Sequence, residues 1–297
     1  MVDRVAEWID WLRIASAATT VAAYEWELRA VEKWAITRDC PDITTLKTAD
    51  LARYIAHRRV NQKCGDATIR RTVNALKAFY KFVCRGSRTS PARSLPVPKT
   101  KKKKQRSLTW AQVETLMLAC DTSTTRGRRD LAIVCLLLDS GLRESEVCRL
   151  TVADVSMEER RLTVQIKGGN DGDGIFSRDT QAALSTWLAL RPHYAAAGVP
   201  NFFVSIGGTL PGTAITPSGL RVIFRRLGKA AGFEKLSPHD LRRSFATLSS
   251  KLGAPTRVLQ VAGRWENIEM VAHYTRDLEA DDFAKYSPVS HALMPKP

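Results

Sequence analysis

The sequence lacks the features of a membrane protein. None of its apolar runs approaches the ~20 residues that a membrane-spanning helix needs. The first residues, Met-Val-Asp-Arg-Val-Ala-Glu, form neither a signal peptide nor a myristoylation site. We therefore expect no membrane partner for this chain.

Paired cysteines and metal-binding motifs are also missing. The six cysteines stand apart, without a Cys-x-x-Cys pair, and unpaired cysteines are typical of a reducing compartment. There is no His-Glu-x-x-His motif, no paired Cys and His set and no Walker A motif. The stretch Asn170-Asp-Gly-Asp-Gly174 approaches a calcium-loop pattern, but Ile175 occupies a ligand position and no Glu closes the loop, so we interpret it as a hairpin turn. We expect a cytoplasmic protein that holds no metal and no cofactor.

Acidic residues are few relative to basic ones. The 297 residues include 30 Asp and Glu against 46 Lys and Arg, which gives a formal net charge of +16. A hydrophobic content of 44% argues against disorder, and the length is sufficient for two domains. A positive charge of this size favours an extended polyanion as the partner.

Residues 1–93 show helical periodicity throughout. Apolar residues recur at helical spacing in four segments, of which the last runs from about Asp66 to Val83. The outer side of this last segment carries four cations: Arg70, Arg71, Lys77 and Lys81. Such a row is usually a solvated face, but in so basic a protein a DNA-facing surface explains it at least as well. We predict a helical DNA-binding domain here.

Residues 94–106 have the composition of a linker. They contain two prolines, many cations and no acid, and such a segment repels itself and extends. Its cations are suited to following a phosphate backbone: Lys101, Lys102, Lys103, Lys104 and Arg106. A nuclear-localisation signal is the alternative explanation for four consecutive lysines.

Residues 107–297 combine helical patterns with one alternating segment. After the turn at Gly141, Arg143 and Glu146 stand three residues apart, so they share one face of a helix and Glu146 can hold the guanidinium in place. The alternation over residues 161–166 predicts a β-strand that ends at Lys167.

Residues 237–274 concentrate groups that handle phosphate. The apolar spacing places His239 at the start of a helix and Arg242 one turn later on the same side, where the helix N-terminus attracts anions. Trp265 and Tyr274 flank a further short helix. Taken singly, these residues are more often caps, surface ion-pair partners or core aromatics. Their order and spacing together favour a phosphate clamp with an oxygen nucleophile.

These motifs resemble the tyrosine recombinases, also called phage-type integrases. The resemblance covers roughly residues 128–278 and rests on Gly141-Leu-Arg143-x-x-Glu146-x-x-x-Leu150, Lys167, His239-x-Leu-Arg242, and Gly-Arg-Trp265 followed nine positions later by Tyr274. Trp265 stands where most members have His, which makes the tail similar to that of Cre-like members. Two departures are the acidic, Gly-rich turn after Lys167 and an Arg264 inserted between Gly263 and Trp265.

The resemblance implies a fold and an assembly. The fold is mainly α-helical with a small antiparallel β-sheet in the C-terminal domain. The architecture is a two-domain C-clamp, with a helical core-binding domain at 1–93, a basic linker at 94–106 and an α+β catalytic domain at 107–297 that ends in an oligomerisation tail. The expected partner is double-stranded DNA with a specific recombination site, bound by a homotetramer on two DNA sites.

The resemblance also implies a chemistry that needs neither metal nor ATP. The Tyr274 phenolate would attack a backbone phosphate and leave a 3′-phosphotyrosine, and strand exchange would proceed through a Holliday junction. The family's roles, carried to this sequence, are phosphate binding by Arg143 and Arg242, orientation of Arg143 by Glu146, hydrogen bonding by Trp265 and leaving-group protonation by Lys167. At neutral pH the Tyr274 phenol needs a base or a strong positive field, and His239 with the two arginines can supply either. Two alternatives stay open, namely a type IB topoisomerase and a catalytically silent, sequence-specific DNA-binding protein.

Overall fold

The computed structural model describes residues 3–84, 89–99, 106–165 and 171–274, with the backbone alone for residues 273 and 274. The chain divides into two compact units, Met1–Lys103 and Lys104–Pro297. In the ranges described, no helix combines the length and the apolar character that crossing a membrane requires.

The first unit is built from helices around one apolar core. The helices are α1 (Arg4–Arg13), α2 (Ala18–Ile36), α3 (Thr48–Val60) and α4 (Asp66–Val83), with a 3₁₀ turn at Ile43–Thr45. Their apolar sides meet at Trp8, Leu28 and Phe79, which are fully buried. The predicted fourth helix coincides with α4, because its apolar residues recur at helical spacing over five turns.

A buried carboxylate joins three of these helices. Glu27 of α2 accepts hydrogen bonds from Arg58 of α3 at 3.1 Å and from Arg71 and Thr72 of α4 at 2.8 Å each. Glu27 and Arg58 are fully buried, whereas the Arg71 side chain is 48% exposed. Since a buried charge is tolerated only when it is paired, this network fixes the rotation of α4 against α2.

The second unit surrounds one buried helix. Its helices are α5 (Trp110–Leu118), α6 (Thr125–Ser140), α7 (Glu144–Arg149), α8 (Arg178–Leu190), α9 (Pro217–Ala230), α10 (Pro238–Lys251), α11 (Thr256–Ala262) and α12 (Ile268–Tyr274), with a 3₁₀ turn at Arg191–His193. Every residue of α6 from Ala132 to Leu137 is buried. Helix α6 packs against α8 and α10 and therefore forms the centre of the unit.

A small antiparallel sheet lies in the second unit. Its strands β1 (Val155–Ser156), β2 (Arg161–Gln165) and β3 (Asp171–Ile175) are arranged in the order β1-β2-β3. Strand β2 turns Leu162 and Val164 inward, as its alternation predicts. Together with the helices of both units, this sheet confirms the predicted mainly α-helical fold with a small antiparallel sheet.

One local interpretation of the sequence is wrong. The stretch from Asn170 to Gly174 has the composition of a turn, but its last four residues belong to β3, where Gly174 pairs with Leu162. A Cβ atom at Gly174 would lie only 2.8 Å from Leu162 Cδ1, so the glycine makes room for the inward leucine. The connection between β2 and β3 falls on residues 166–170, outside the described ranges, and so does Lys167.

Candidate active site

A glycine turn brings the first arginine of the site into place. Gly141 ends α6 in the left-handed conformation, with φ +57°, which glycine adopts without steric cost. A Cβ atom at this position would also overlap the Phe245 ring. The short α6–α7 turn (residues 141–143) then places Arg143 at the N-cap of α7.

Arg143 and Glu146 form the contact that their spacing predicts. One oxygen of Glu146 accepts from Nη1 of Arg143 at 2.7 Å, and the other accepts from its backbone N–H at 2.8 Å. Burial by itself would raise the pKa of Glu146, but the Arg143 N–H and the charges of Arg264 and Arg143 outweigh burial and lower it. Glu146 is therefore a buried anion, and it holds an Arg143 side chain that is 37% exposed.

Arg242 ties two turns together from α10. Its Nη1 donates to the carbonyl of Gly141, and its Nη2 donates to the carbonyl of Gly263 at 2.6 Å. The guanidinium also lies 4.7 Å from the centre of the Trp265 ring, over its face. Arg242 is 2% exposed, so its position is set by these contacts with the α6–α7 turn and the α11–α12 turn (residues 263–267).

Trp265 forms the floor beneath Arg242. Its ring is 4% exposed and stacks on Phe245, with ring centroids 6.2 Å apart. A Cβ atom at Gly263 would overlap this ring, which explains why a glycine stands two residues before the tryptophan. Trp265 thus supports the Arg242 guanidinium from the side of the core.

His239 lies in the first turn of α10, with part of its surface exposed. Partial desolvation of the imidazole by surrounding protein atoms, together with the positive charges of Arg243, Arg242 and Arg143, lowers its pKa to about 4. The imidazole is therefore neutral at pH 7. A phosphate anion placed among these arginines would oppose their effect and raise the pKa again.

The backbone of the helix that carries Tyr274 is anchored beside these groups. Helix α12 follows Trp265 by three residues and packs against α10 and α11. Val271 of α12 is fully buried in one cluster with Phe245 and Trp265. The side chain of Tyr274 falls outside what the structure describes, as do residues 275–297.

Arg264 is a residue of the site that sequence reasoning noted only as an insertion. It is 8% exposed, and its guanidinium lies 3.5 Å from Glu146. It also donates to the carbonyls of Ser140 at 2.9 Å, Ala262 at 2.8 Å and Asp173 at 3.1 Å. The signal available in the sequence was a cation placed inside a glycine-tryptophan motif.

The predicted DNA-contacting cations belong to the first unit and to the linker. On α4, Arg70, Arg71 and Lys81 are exposed and Lys77 is half-buried, while Arg71 also pairs with Glu27. Arg106 is exposed, and Lys101 to Lys104 fall outside the described residues.

Cysteines and metal ligands take no part in the site as described. All six cysteines are free, and burial raises the pKa of the Cys120, Cys135 and Cys148 thiols to about 12. Within the described ranges, no three His, Cys, Asp or Glu side chains are grouped closely enough to hold a metal ion.

On the mostly helical second unit, a buried carboxylate holds Arg143 and Arg264, and Arg242 lies over Trp265, an arrangement of charge that suits a phosphate group. The chain belongs to the phage integrase family, the tyrosine recombinases. The model of the phage integrase family matches residues 106–281, and the model of its N-terminal SAM-like domain matches residues 5–86.

Relatives agree with this assignment, and a solved structure shares the fold. Tyrosine recombinase XerD of Ralstonia nicotianae is 30% identical over 271 residues, which cover 89% of this chain and 86% of the relative. Tyrosine recombinase XerC of Xanthomonas campestris pv. campestris is 28% identical over 280 residues, which cover 93% and 83%. The Tn1549 transposon integrase in complex with transposon right end DNA shares the fold, with a TM-score of 0.72 and 18% identity over 96% of this chain and 98% of that one. The family expected from the motifs is confirmed, while these relatives carry Xer names and do not specifically support a Cre-like member.

Proposed function

We propose that this protein is a site-specific DNA recombinase that cleaves and rejoins DNA strands through a 3′-phosphotyrosine and a Holliday junction. The observation that supports this most is the anchoring of Arg143 and Arg242. Arg143 donates to Arg264 O at 3.2 Å, and Arg242 donates to the carbonyls of Gly141 and Gly263, so both guanidinium groups are tied to the α11–α12 turn. Groups fixed before the substrate arrives stabilise a transition state without paying for reorganisation.

The two arginines fit the charge of a pentacoordinate phosphorane. Each planar guanidinium presents several N–H donors in a fixed fork, which suits the non-bridging oxygens of a phosphodiester. Glu146 keeps the Arg143 fork in one orientation, and the Trp265 ring supports the Arg242 fork from below. In this proposal, Arg143 and Arg242 bind the scissile phosphate.

The proposed reaction exchanges one phosphodiester bond for another. The oxygen of Tyr274 bonds to phosphorus while the bond from phosphorus to the 5′-oxygen breaks. A free phenol has a pKa of ~10, so at neutral pH it needs a proton acceptor or a strong positive field. The neutral imidazole of His239 is the proposed acceptor, its basicity raised by the bound phosphate anion, and Arg143 and Arg242 supply the field. Lys167 is the proposed donor of a proton to the leaving 5′-oxygen. Bond energy is retained in the phosphotyrosine, and rejoining is the reverse reaction.

The grip on DNA is proposed to come from cations outside the site. The exposed row Arg70, Arg71 and Lys81, with the half-buried Lys77, would contact phosphates from α4. The linker cations Lys101 to Lys104 and Arg106 would add contacts that do not depend on sequence. We further propose a homotetramer on two DNA sites, joined through the tail after Tyr274, in the cytoplasm. A Cre-like character, suggested by Trp265, belongs to the same proposal.

The test starts from the DNA that the protein selects. Genomic fragments bound by the protein are mapped, and a duplex is built from the bound site with a nick a few nucleotides beyond the cleavage point. Cleavage then releases a short 5′-hydroxyl fragment that diffuses away, so the covalent protein–DNA adduct accumulates and persists on a denaturing gel. We expect an adduct with the wild-type protein and with Tyr286→Phe, and none with Tyr274→Phe, which still binds the DNA.

Other outcomes would redirect the proposal. An adduct in Tyr274→Phe but not in Tyr286→Phe would move the nucleophile to Tyr286. Relaxation of a supercoiled plasmid carrying the site, without exchange of products, would indicate a type IB topoisomerase. A wild-type protein that binds the site and forms no adduct would be a DNA-binding protein.

A further inference from the structure

Arg264 joins four parts of the second unit at one point. Its Nη2 donates to Ser140 O at the end of α6 and lies 3.5 Å from Glu146 of α7. Its Nη1 donates to Ala262 O at the end of α11 and to Asp173 O of β3. One side chain therefore holds the sheet, the α6–α7 turn and the α11–α12 turn in a fixed relation.

The backbone of Arg264 is held in an unfavourable conformation. Its φ is +54°, in the left-handed region where a side chain is sterically disfavoured. Arg160, with φ +53°, is another arginine in this conformation. A strained backbone persists where surrounding contacts over-determine it, and the buried contacts of the Arg264 guanidinium supply that constraint.

Arg264 acts on Arg143 by two routes. Through its side chain, it holds one oxygen of Glu146, whose other oxygen accepts from Arg143 at 2.7 Å. Through its main chain, it accepts directly from Nη2 of Arg143 at 3.2 Å. Both routes end on Arg143, whose side chain is 37% exposed and which is proposed to bind the scissile phosphate.

The Arg264 side chain is itself only 3% exposed. Its guanidinium is enclosed by Glu146 and by the carbonyls of Ser140, Ala262 and Asp173. These contacts lead to Glu146 and to the two turns, so we assign Arg264 an action through those groups.

We propose that Arg264 is a positioning residue for strand cleavage, which fixes Glu146 and the α11–α12 turn and through them aligns Arg143 on the scissile phosphate. This inference rests on the proposed recombinase function. The proposal gives a function to a residue that departs from the family motif. It also means that alignment of the phosphate-binding groups and affinity for DNA depend on different residues.

The test compares the same substitution at two arginines whose backbones are in the left-handed conformation. Arg264→Gly and Arg160→Gly each remove one positive charge and relieve the same backbone strain, but only the first lies beside Glu146. Cleavage of the nicked duplex is measured in single turnover at saturating protein, and binding of the uncut duplex is measured separately. We expect Arg264→Gly to slow cleavage by about 10- to 100-fold, because small misplacements of a catalytic group have effects of this size. Binding should change by less than about 3-fold in both variants, since neither arginine is proposed to grip the DNA.

A double-mutant cycle identifies the route through Glu146. With Glu146 replaced by Ala, the side chain of Arg264 has lost the carboxylate through which it holds Arg143. We therefore expect Arg264→Gly to slow cleavage by a clearly smaller factor in the Glu146→Ala background, where only its support of the α11–α12 turn remains to be lost, since residues acting as one unit are not additive. Equal losses in both backgrounds would overturn the inference, as would a saturated cleavage rate for Arg264→Gly within about 3-fold of wild type.

Thermal unfolding of each variant checks that the second unit is intact. If Arg264→Gly does not fold, Arg264→Lys is used in the same cycle, because one ammonium keeps the charge but cannot span Ser140, Asp173 and Glu146 together. The covalent adduct of the wild-type protein distinguishes failure of the proposed recombinase function from failure of the positioning role. Absence of that adduct contradicts the proposed recombinase, whereas a normal adduct with unaffected Arg264 variants contradicts only the positioning role.

Discussion

The two units each contain a buried glutamate that holds two arginines. In the Glu27 cluster (Glu27, Arg58, Arg71 and Thr72), Arg58 is 2% exposed and Arg71 is 48% exposed at the side chain. In the Glu146 cluster (Glu146, Arg143 and Arg264), Arg264 is 3% exposed and Arg143 is 37% exposed. In each case, one arginine neutralises the carboxylate inside the protein and the other extends from it towards solvent.

The two clusters differ in the backbone that carries them. The Glu27 cluster lies within the regular helices α2, α3 and α4, so its ion pairs chiefly decide how those helices pack. The Glu146 cluster lies at turns, beside the left-handed Gly141 and Arg264 and the first turn of α10. The comparison shows that one ion-pair pattern serves packing on helices and, as we propose, alignment of a phosphate at turns, where backbone groups and several side chains converge.

The largest effect on stability is expected at Glu27. Glu27→Ala leaves Arg58 buried without its carboxylate, and breaking a buried pair in this way costs about 3 to 5 kcal/mol. Urea unfolding of the full chain, followed by tryptophan fluorescence, measures the loss. The control is Glu32→Ala in the same helix, which removes a more exposed pair with Arg29 and should cost below about 1 kcal/mol. Equal losses for the two variants would show that the Glu27 cluster is not a packing element.

The largest effect on catalysis is expected at Arg143. Arg143→Ala removes a preorganised donor to the phosphate and should slow single-turnover cleavage by about 10²- to 10³-fold. Arg71→Ala, the corresponding change in the Glu27 cluster, should leave the saturated rate unchanged. A slow saturated rate in Arg71→Ala, or a normal one in Arg143→Ala, would remove the functional difference between the clusters.

A smaller effect on binding is expected at Arg71. If this arginine contacts one phosphate from α4, Arg71→Ala should flatten the log–log dependence of DNA affinity on salt by about 0.9. Fluorescence anisotropy with the mapped site and with unrelated DNA measures both slopes. Because a phosphate contact carries no sequence information, the two DNAs should respond alike. A loss confined to the mapped site would instead assign base readout to Arg71.

The smallest effect is a pH dependence at His239. Its pKa of about 4 in the folded protein lies below the ordinary value of 6.5, so the unfolded chain binds more protons between these values. Its contribution to stability is therefore complete above pH 6.5 and is lost as the pH falls towards 4. His239→Gln should remove part of the fall in stability over this window when unfolding is followed at several pH values. An unchanged profile would mean that neither burial nor the arginines around His239 oppose its protonation.

The sequence predicted features that depend on neighbours along the chain. The helical period gave α4 within its observed bounds. The spacing of three residues between Arg143 and Glu146 predicted their contact, because they occupy the N-cap and N3 positions of α7. The alternation over residues 161–166 predicted β2. Strand β3 was mistaken for a turn, because its aspartates and glycines have turn propensity and only the pairing with Leu162 and Val164 makes the segment a strand.

By itself, the sequence determined the class of fold, the family and the order of the candidate residues, since local periodicity and motif spacing depend only on residues close together in the chain. Only the tertiary structure decided which groups meet. The acceptors of Arg242 lie 101 and 21 residues away, and Arg264 reaches Ser140 across 124 residues. The partner of Glu27 in α3 is likewise 31 residues distant. Such pairs depend on how helices pack and where the chain turns through a left-handed residue, and the burial of charge then makes each contact obligatory.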